Sequence, residues 1–226
     1  MHLRIFAVVL PLLLTPTANA FGQTRIALTG GLDYATWHRL WPVRESTSGF
    51  SAGVSAIHSL FGAVEFELHS VYSRRGQSSS FEDFPAYLGP IRRVDQVSEK
   101  HLGLVALGRV NLPVAARGLR AYLAAGPALS WESSCHIRTT IQKSPVSWII
   151  KPGTRTRECE GKDRLDFGLA GGLGLELRVA GSMGVTFGTL YTHGFRNLAK
   201  ALAQQRGYTT KLRTVTIRTG LVYRIW

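Results

Sequence analysis

The chain has 226 residues and a formal charge of +13, with 27 lysines and arginines against 14 acidic residues. This length suits a single all-β domain. The basic balance favours anionic partners such as lipid phosphates, polyanionic sugars or nucleic acid, and composition alone does not choose among them. After the first twenty residues no apolar stretch is long enough for a membrane-spanning helix, which excludes a helical membrane protein.

The first twenty residues have the layout of a cleavable secretory signal. Arg4 precedes the apolar run Ile5–Leu14, and the small-polar-small triplet Ala18–Ala20 follows. The apolar run is shorter than the roughly 20 residues that a spanning helix needs. We therefore expect residues 1–20 to be removed and residues 21–226 to form one domain. An uncleaved membrane anchor is the less favoured alternative.

Period-two alternation predicts strands throughout the rest of the chain. The eight predicted strands lie at about residues 24–37, 48–58, 61–75, 98–111, 119–132, 164–179, 183–195 and 214–225. In the segment 164–179 the odd positions are almost all apolar, whereas the even positions are small or charged. Successive side chains of a strand point to opposite faces, so one face of this segment is apolar. Its length exceeds that of most soluble strands and suits a strand that crosses a membrane.

The predicted connections alternate between two lengths. Short connections are predicted at Ser59-Leu60, Pro113–Arg117 and Ala180–Ser182, and long ones at residues 38–47, 76–97, 133–163 and 197–210. Short periplasmic turns and longer external loops are typical of bacterial outer-membrane barrels. The sequence therefore predicts an all-β fold, an eight-stranded antiparallel up-and-down transmembrane β-barrel with both chain ends in the periplasm. A soluble periplasmic β-sandwich is the alternative.

The same alternation predicts which charged side chains face the interior of the barrel. They are Arg25, Asp33, Glu65, Glu67, His69, Arg109, Arg120, Glu132, Asp166, Glu176, Arg178, Arg218 and Arg224. An eight-stranded barrel is just wide enough for its own side chains to fill. Because both signs are present and buried charges must be paired, we expect a closed network of salt bridges with little or no channel conductance.

Five segments carry a resemblance to a known family. They are Gly49–Ile57 (GFSAGVSAI), Val71–Gly76 (VYSRRG), Arg120–Trp131 (RAYLAAGPALSW), Asp166–Leu177 (DFGLAGGLGLEL) and Tyr191–Leu198 (YTHGFRNL). In this order they resemble the outer-membrane β-barrel family that includes the PorT-like proteins of Bacteroidetes, with a fold similar to small OmpA-like and OmpX-like barrels. The resemblance implies a porin-like fold and an outer-membrane location, and it implies no particular chemistry.

The chain departs from this family's pattern in three places. His69 stands where family members often carry Glu, and Val105 where they often have Pro. Barrels of this kind usually end on an outward-facing aromatic residue, whereas Trp226 lies one place beyond the outward phase of Tyr223 and Ile225. The resemblance therefore does not assign Trp226 a role in membrane insertion.

The two cysteines, Cys135 and Cys159, both lie in the long segment 133–163. Export exposes them to an oxidising environment, which predicts a disulfide. Closing such a loop would contribute about 3 kcal/mol in the chain-entropy model. A metal site with the neighbouring His136 is the less favoured alternative, because no second pair of ligands accompanies it. We predict no metal and no other cofactor.

The segment around the cysteines is also rich in basic residues. They are Arg138, Lys143, Lys151, Arg155, Arg157 and Lys162. One interpretation is a basic, disulfide-closed lobe that binds the phosphates of lipopolysaccharide, and the other is a solvated loop without a specific ligand. Nucleic acid is not predicted as a partner, because the basic residues belong to no recognised binding module.

A lipid-modifying hydrolase is the alternative function. It would need a nucleophile within hydrogen-bond reach of a histidine, together with an oxyanion donor. The candidate pairs are His58-Ser59, His69-Ser70 and His193 with Thr189. Alternation places His69 inside and Ser70 outside, and the first pair falls at a periplasmic turn. We therefore predict no catalytic residues and a non-enzymatic structural or surface-interaction barrel. Its expected partners are membrane lipids, lipopolysaccharide and the barrel-insertion machinery.

Overall fold

The computed structural model describes residues 23–38, 46–83, 91–114, 116, 118–142, 153–159, 164–195 and 211–225. Its strands are β1 (Thr24–His38), β2 (Ser46–Phe61), β3 (Val64–Asp83), β4 (Ile91–Leu112), β5 (Leu119–Gln142), β6 (Gly153–Glu158), β7 (Leu165–Ala180), β8 (Met183–Gly194) and β9 (Lys211–Arg224). The described part of the chain contains no helix that is both long and apolar enough to cross a membrane.

Eight of these strands form a closed antiparallel barrel. β1 pairs with β2 on one side and with β9 on the other, so the first and last strands close the ring. β5 pairs with β4 and with β7, and the short strand β6 adds to β5 only over the six residues from His136 to Ile141. The predicted eight-stranded all-β barrel is therefore confirmed, and β6 is a ninth strand outside the ring.

Three short connections between strands lie at one end of the barrel, which we call the short-turn end. Each contains a glycine with positive φ, namely Gly62 (53°), Gly118 (81°) and Gly181 (50°). Glycine adopts such angles without the steric cost that a Cβ brings. The predicted turn at Ser59-Leu60 is wrong, because β2 continues to Phe61 and the chain reverses where glycine permits it.

The opposite end carries strands that continue well beyond the ring. Much of the predicted long loops 76–97 and 133–163 is strand, which corrects the sequence-based expectation. We call the parts of β3 to β6 at residues 74–83, 91–100, 134–142 and 153–158 the external sheet. The sequence of this sheet shows no regular apolar alternation. Its strands are held by backbone pairing from β3 to β4, from β4 to β5 and from β5 to β6.

The outer surface of the ring is apolar and its interior is polar. Leu123 and its cross-strand partner Leu173 both point outward, with exposed fractions of 49 % and 57 %. Similar exposed leucine, valine, isoleucine and phenylalanine side chains occur on every strand of the ring. We call these outward-facing side chains the apolar belt. It is far larger than the apolar patches that soluble monomers expose, and it is typical of a barrel whose outer face contacts lipid.

Candidate functional site

The interior near the short-turn end holds a compact network of ion pairs. Arg25 on β1 contacts Glu65 on β3 and Glu176 on β7, each at 2.5 Å. Arg109 lies 3.7 Å from each of the same two carboxylates. Because both arginines bridge both glutamates, the network ties β1, β3, β4 and β7 together across the lumen.

A second part of the network is centred on Glu67. Its carboxylate accepts hydrogen bonds from Arg109 at 3.3 Å, from Arg218 at 3.2 Å and from the hydroxyl of Ser55 at 2.9 Å. Three buried arginines thus face three buried glutamates in this half of the barrel. Pairing with opposite charges is what makes buried ions tolerable.

Apolar side chains close the middle of the lumen above this network. Leu107 is fully buried, and Val105, Tyr122 and Leu190 belong to the same cluster. The guanidinium of Arg109 lies 3.7 Å from the centre of the Tyr122 ring, a cation–π contact that joins the charged and apolar layers. The described side chains therefore fill the barrel across its width at this level.

A small cavity of about 70 Å³ lies between this cluster and the external sheet. Asp33 lies on its wall and accepts hydrogen bonds from Ser51 at 3.0 Å and Thr216 at 2.8 Å. The Nε of Arg75 is 3.5 Å from the same carboxylate. The cavity has room for only a few water molecules.

The structure places the thirteen predicted interior charges at different depths. Ten of them are buried, whereas Arg120 and Arg224 are partly exposed and Arg178 is exposed. These three lie close to the short-turn end, so they share the inward phase without being enclosed by the ring. Alternation indicates the face on which a side chain lies and contains no information about its depth.

Among the described residues, three buried interior side chains that can carry a charge were missed from the sequence. They are Arg75, Glu99 and His101. Arg75 has the same odd phase as Glu65, and the other two have the phase of Arg109, so the alternation on β3 and β4 was sufficient to find them. Glu132 lies opposite His101 on β5, at the end of the lumen nearest the external sheet.

The two cysteines form a disulfide that joins β5 to the end of β6. Their Cα atoms are 5.4 Å apart, and the amide of Cys159 donates a hydrogen bond to the carbonyl of Cys135 at 3.2 Å. Cys135 is buried, whereas the adjacent His136 is exposed. The alternative of a metal site shared by His136 and the cysteines is not supported by this geometry.

Three of the six predicted anion-binding residues can be placed. Arg138 is exposed on β5, and Arg155 and Arg157 are exposed on β6. Lys143, Lys151 and Lys162 lie outside the described residues, as does Trp226. Among the side chains that the structure describes, the external sheet adds two exposed cations that the sequence-based prediction did not include, Arg74 on β3 and Lys100 on β4.

The histidine pairs considered for hydrolysis do not assemble a catalytic arrangement. His69 contacts the hydroxyl of Ser55 at 2.8 Å inside the lumen, but that hydroxyl donates to Glu67, so the histidine does not link serine to carboxylate. His58 instead contacts Thr24 at 3.0 Å near the short-turn end. On the outer surface, His193 packs against the aromatic rings of Tyr191 and Phe195.

Comparison with known proteins supports the fold. No protein-family model and no curated protein sequence matches the chain. Among solved structures, it is similar to Neisserial surface protein A (NspA), with a TM-score of 0.51 and 13 % identity over 88 % of this chain and 97 % of that one. It is also similar to a major outer membrane protein from Thermus thermophilus, with a TM-score of 0.48 and 10 % identity over 91 % of this chain and 100 % of that one.

OprG from Pseudomonas aeruginosa is a further similar structure, with a TM-score of 0.46 and 12 % identity over 90 % of this chain and 96 % of that one. At such low identities the similarity shows the fold alone. The finer resemblance to PorT-like proteins stays a prediction. The closed ring, the apolar belt and the structural similarity to NspA together show that this chain has the fold of the small outer-membrane β-barrels.

Proposed function

We propose that this protein is a non-enzymatic barrel of a Gram-negative outer membrane that holds the external sheet at the cell surface, where the sheet binds lipopolysaccharide phosphates. Residues 1–20 direct export and are removed, and the barrel-insertion machinery then assembles residues 21–226. The described chain begins and ends near the short-turn end, which faces the periplasm in barrels of this type. The external sheet then projects from the cell.

The observation that carries this proposal is a pair of cations directly above the apolar belt. Arg74 and Lys100 are cross-strand partners, and both are exposed on the outer face of the external sheet. Two residues closer to the ring, the same face carries Tyr72, Leu102 and Trp131. Leu102 is the cross-strand partner of both Tyr72 and Trp131. The two cations therefore lie at the edge of the belt, where the phosphates of an outer-leaflet lipid are found.

A third cation extends this face away from the membrane. Arg138 lies on the outer face, four residues beyond Ser134, the partner of Lys100. At about 3.3 Å per residue this is roughly 13 Å further along the strand, on the side of Lys100 away from the apolar belt. Arg138 would therefore face the phosphorylated sugars of lipopolysaccharide. Arg155 and Arg157 pair with inward-phase residues of β5, so they lie on the opposite face.

Native mass spectrometry of the barrel in detergent tests the proposal, with lipid A that carries two phosphates and with the same lipid after dephosphorylation. Each basic residue at an anionic surface is worth about 1 kcal/mol. The double variant Arg74→Gln/Lys100→Gln should therefore bind phosphorylated lipid A roughly 30-fold more weakly. The double variant Arg155→Gln/Arg157→Gln removes the same charge from the other face and is the matched control.

Two results would contradict the proposal. One is lipid A binding that does not depend on its phosphates. The other is an equal loss of binding in both double variants, which would indicate attraction by net charge without a site at the edge of the belt.

A further inference from the structure

We propose that Glu99, His101 and Glu132 form a binding site for a zinc ion at the external end of the lumen. All three side chains are buried, with exposed fractions of 4 %, 4 % and 7 %. One potential ligand atom from each lies within 4.8 Å of the other two. The site is independent of the lipid-facing cations proposed above.

The backbone of two neighbouring strands brings these side chains together. Glu99 and His101 are alternate residues of β4, so they lie on the same face. Glu132 on β5 is the direct cross-strand partner of His101. Directly opposite residues on antiparallel strands have Cβ atoms about 5 Å apart, which is close enough for two side chains to share one ion.

A β-bulge adjusts the strand at this point. The register between β4 and β5 shifts between Lys100 and His101, which leaves Ser133 as an extra residue on β5. Glu132 and Cys135 are three positions apart and would lie on opposite faces of a regular strand, yet both are buried on the lumenal side. Bulges often re-aim side chains beside functional sites.

The disulfide stabilises the same region. The Sγ atom of Cys135 lies 3.9 Å from Oε1 of Glu99, and the link to Cys159 holds β6 against β5 just beyond the bulge. The bulge and the disulfide thus constrain the two strands that supply all three proposed ligands.

The donor set and its spacing fit zinc. One imidazole nitrogen and two carboxylate oxygens are accepted ligands of Zn²⁺, at about 2.0 to 2.2 Å from the ion. Tetrahedral ligands at this distance are about 3.3 Å apart. The Nε2 of His101 is 3.3 Å from Oε2 of Glu99, and Glu132 needs a shift of at most about 1.5 Å. His101 also lines the cavity, which leaves room for a water molecule as the fourth ligand.

The cation beside Glu99 is compatible with this site. Arg75 is the cross-strand neighbour of Glu99, and its charge opposes a metal ion. The carboxylate of Asp33, 3.5 Å from the Nε of Arg75, offsets part of this charge. Zinc would therefore enter a region in which buried carboxylates from four strands accompany Arg75, namely Asp33, Glu99, Glu132 and Asp166.

Zinc titration of the refolded full-length barrel, purified without a histidine tag and treated with a chelator, tests the proposal. Isothermal calorimetry with ZnCl₂ should show one equivalent bound per barrel. His101→Gln and Glu132→Gln should each weaken binding at least 10-fold. His136→Gln alters an exposed histidine on the same strand beside the disulfide, and it should bind zinc as the unaltered protein does.

A heat-dependent shift on gels confirms that each variant is folded. The unaltered barrel supplies a readout that does not depend on the variants, because a ligand that binds only the folded state raises the urea midpoint as its concentration increases. The proposal is overturned if the folded, unaltered barrel binds no zinc and its midpoint does not move. It is also overturned if His101→Gln and Glu132→Gln bind like the unaltered protein, or if His136→Gln alone loses binding.

Discussion

Glu67 joins three neighbouring side chains of the interior network. It accepts hydrogen bonds from Arg109, Arg218 and Ser55 in a region from which water is largely excluded. The Glu67→Gln variant keeps the shape of the side chain and leaves two buried guanidinium groups short of one negative charge. Breaking a buried ion pair in this way costs about 3 to 5 kcal/mol. Urea unfolding of the barrel in lipid vesicles should show a loss of this size in the free energy of unfolding.

The control for this prediction is Glu158→Gln, which removes the same charge from an exposed position on β6. Exposed substitutions usually change the free energy of unfolding by no more than about 0.5 kcal/mol. If the two variants lost equal stability, the effect would come from net charge, and the account of the buried network would be wrong.

At the residue scale, the sequence predicted the face of the strand on which a charged side chain lies, but it did not predict how deeply that side chain is buried in the barrel. Alternation identified the face of Glu65, Glu67 and Arg109 because that face depends only on the geometry of one strand. The exposure of Arg178 depends on where β7 ends relative to its neighbours, and one strand's own pattern does not contain that information. Glu99 and His101 were overlooked although their phase was available.

At the scale of elements, the short strand β6 depends on a covalent link more than on packing. β6 is six residues long, is exposed throughout, and adds to β5 at the edge of the sheet. An edge strand with so little buried surface is expected to open locally. The basic side chains of β6 also suit an edge, because charges discourage pairing with strands of other molecules.

Reduction of the disulfide should therefore release β6 and leave the ring intact. Closing a loop between residues 24 positions apart contributes about 3 kcal/mol in the chain-entropy model, which corresponds to roughly 100-fold faster amide exchange after Cys135→Ser/Cys159→Ser substitution. Hydrogen exchange read by mass spectrometry over residues 153–158 measures this change. Exchange in β7 is the internal control and should not change. Equal exchange of β6 in both proteins would show that pairing with β5 suffices to hold the strand.

Period-two alternation predicted the strands of the ring, but it did not predict the external sheet. Ser78, Ser79 and Ser80 on β3 show no apolar alternation. Their strand conformation comes from pairing with Val94, Asp95 and Gln96 on β4. Such pairing depends on residues elsewhere in the chain, so local sequence reads as a loop.

For the whole molecule, the interior determines whether ions can pass. The Arg25, Glu65 and Arg109 contacts close the lumen near the short-turn end, and Leu107 with its neighbours closes the middle. We expect planar lipid bilayers that contain the refolded barrel to show no stable ohmic channels. A wide trimeric porin inserted under the same conditions serves as the positive control. A reproducible unitary conductance from this barrel would show that the network opens in lipid.

The sequence by itself determined the number of strands in the ring, the face of most interior side chains and the pairing of the cysteines. It could do so because alternation and a single possible cysteine pair are local or combinatorial properties. Only the tertiary structure decided the depth of each charge, the external sheet with β6, and the bulge that brings Glu132 beside Glu99 and His101. These depend on the register between strands, which is set by contacts between residues far apart in the chain.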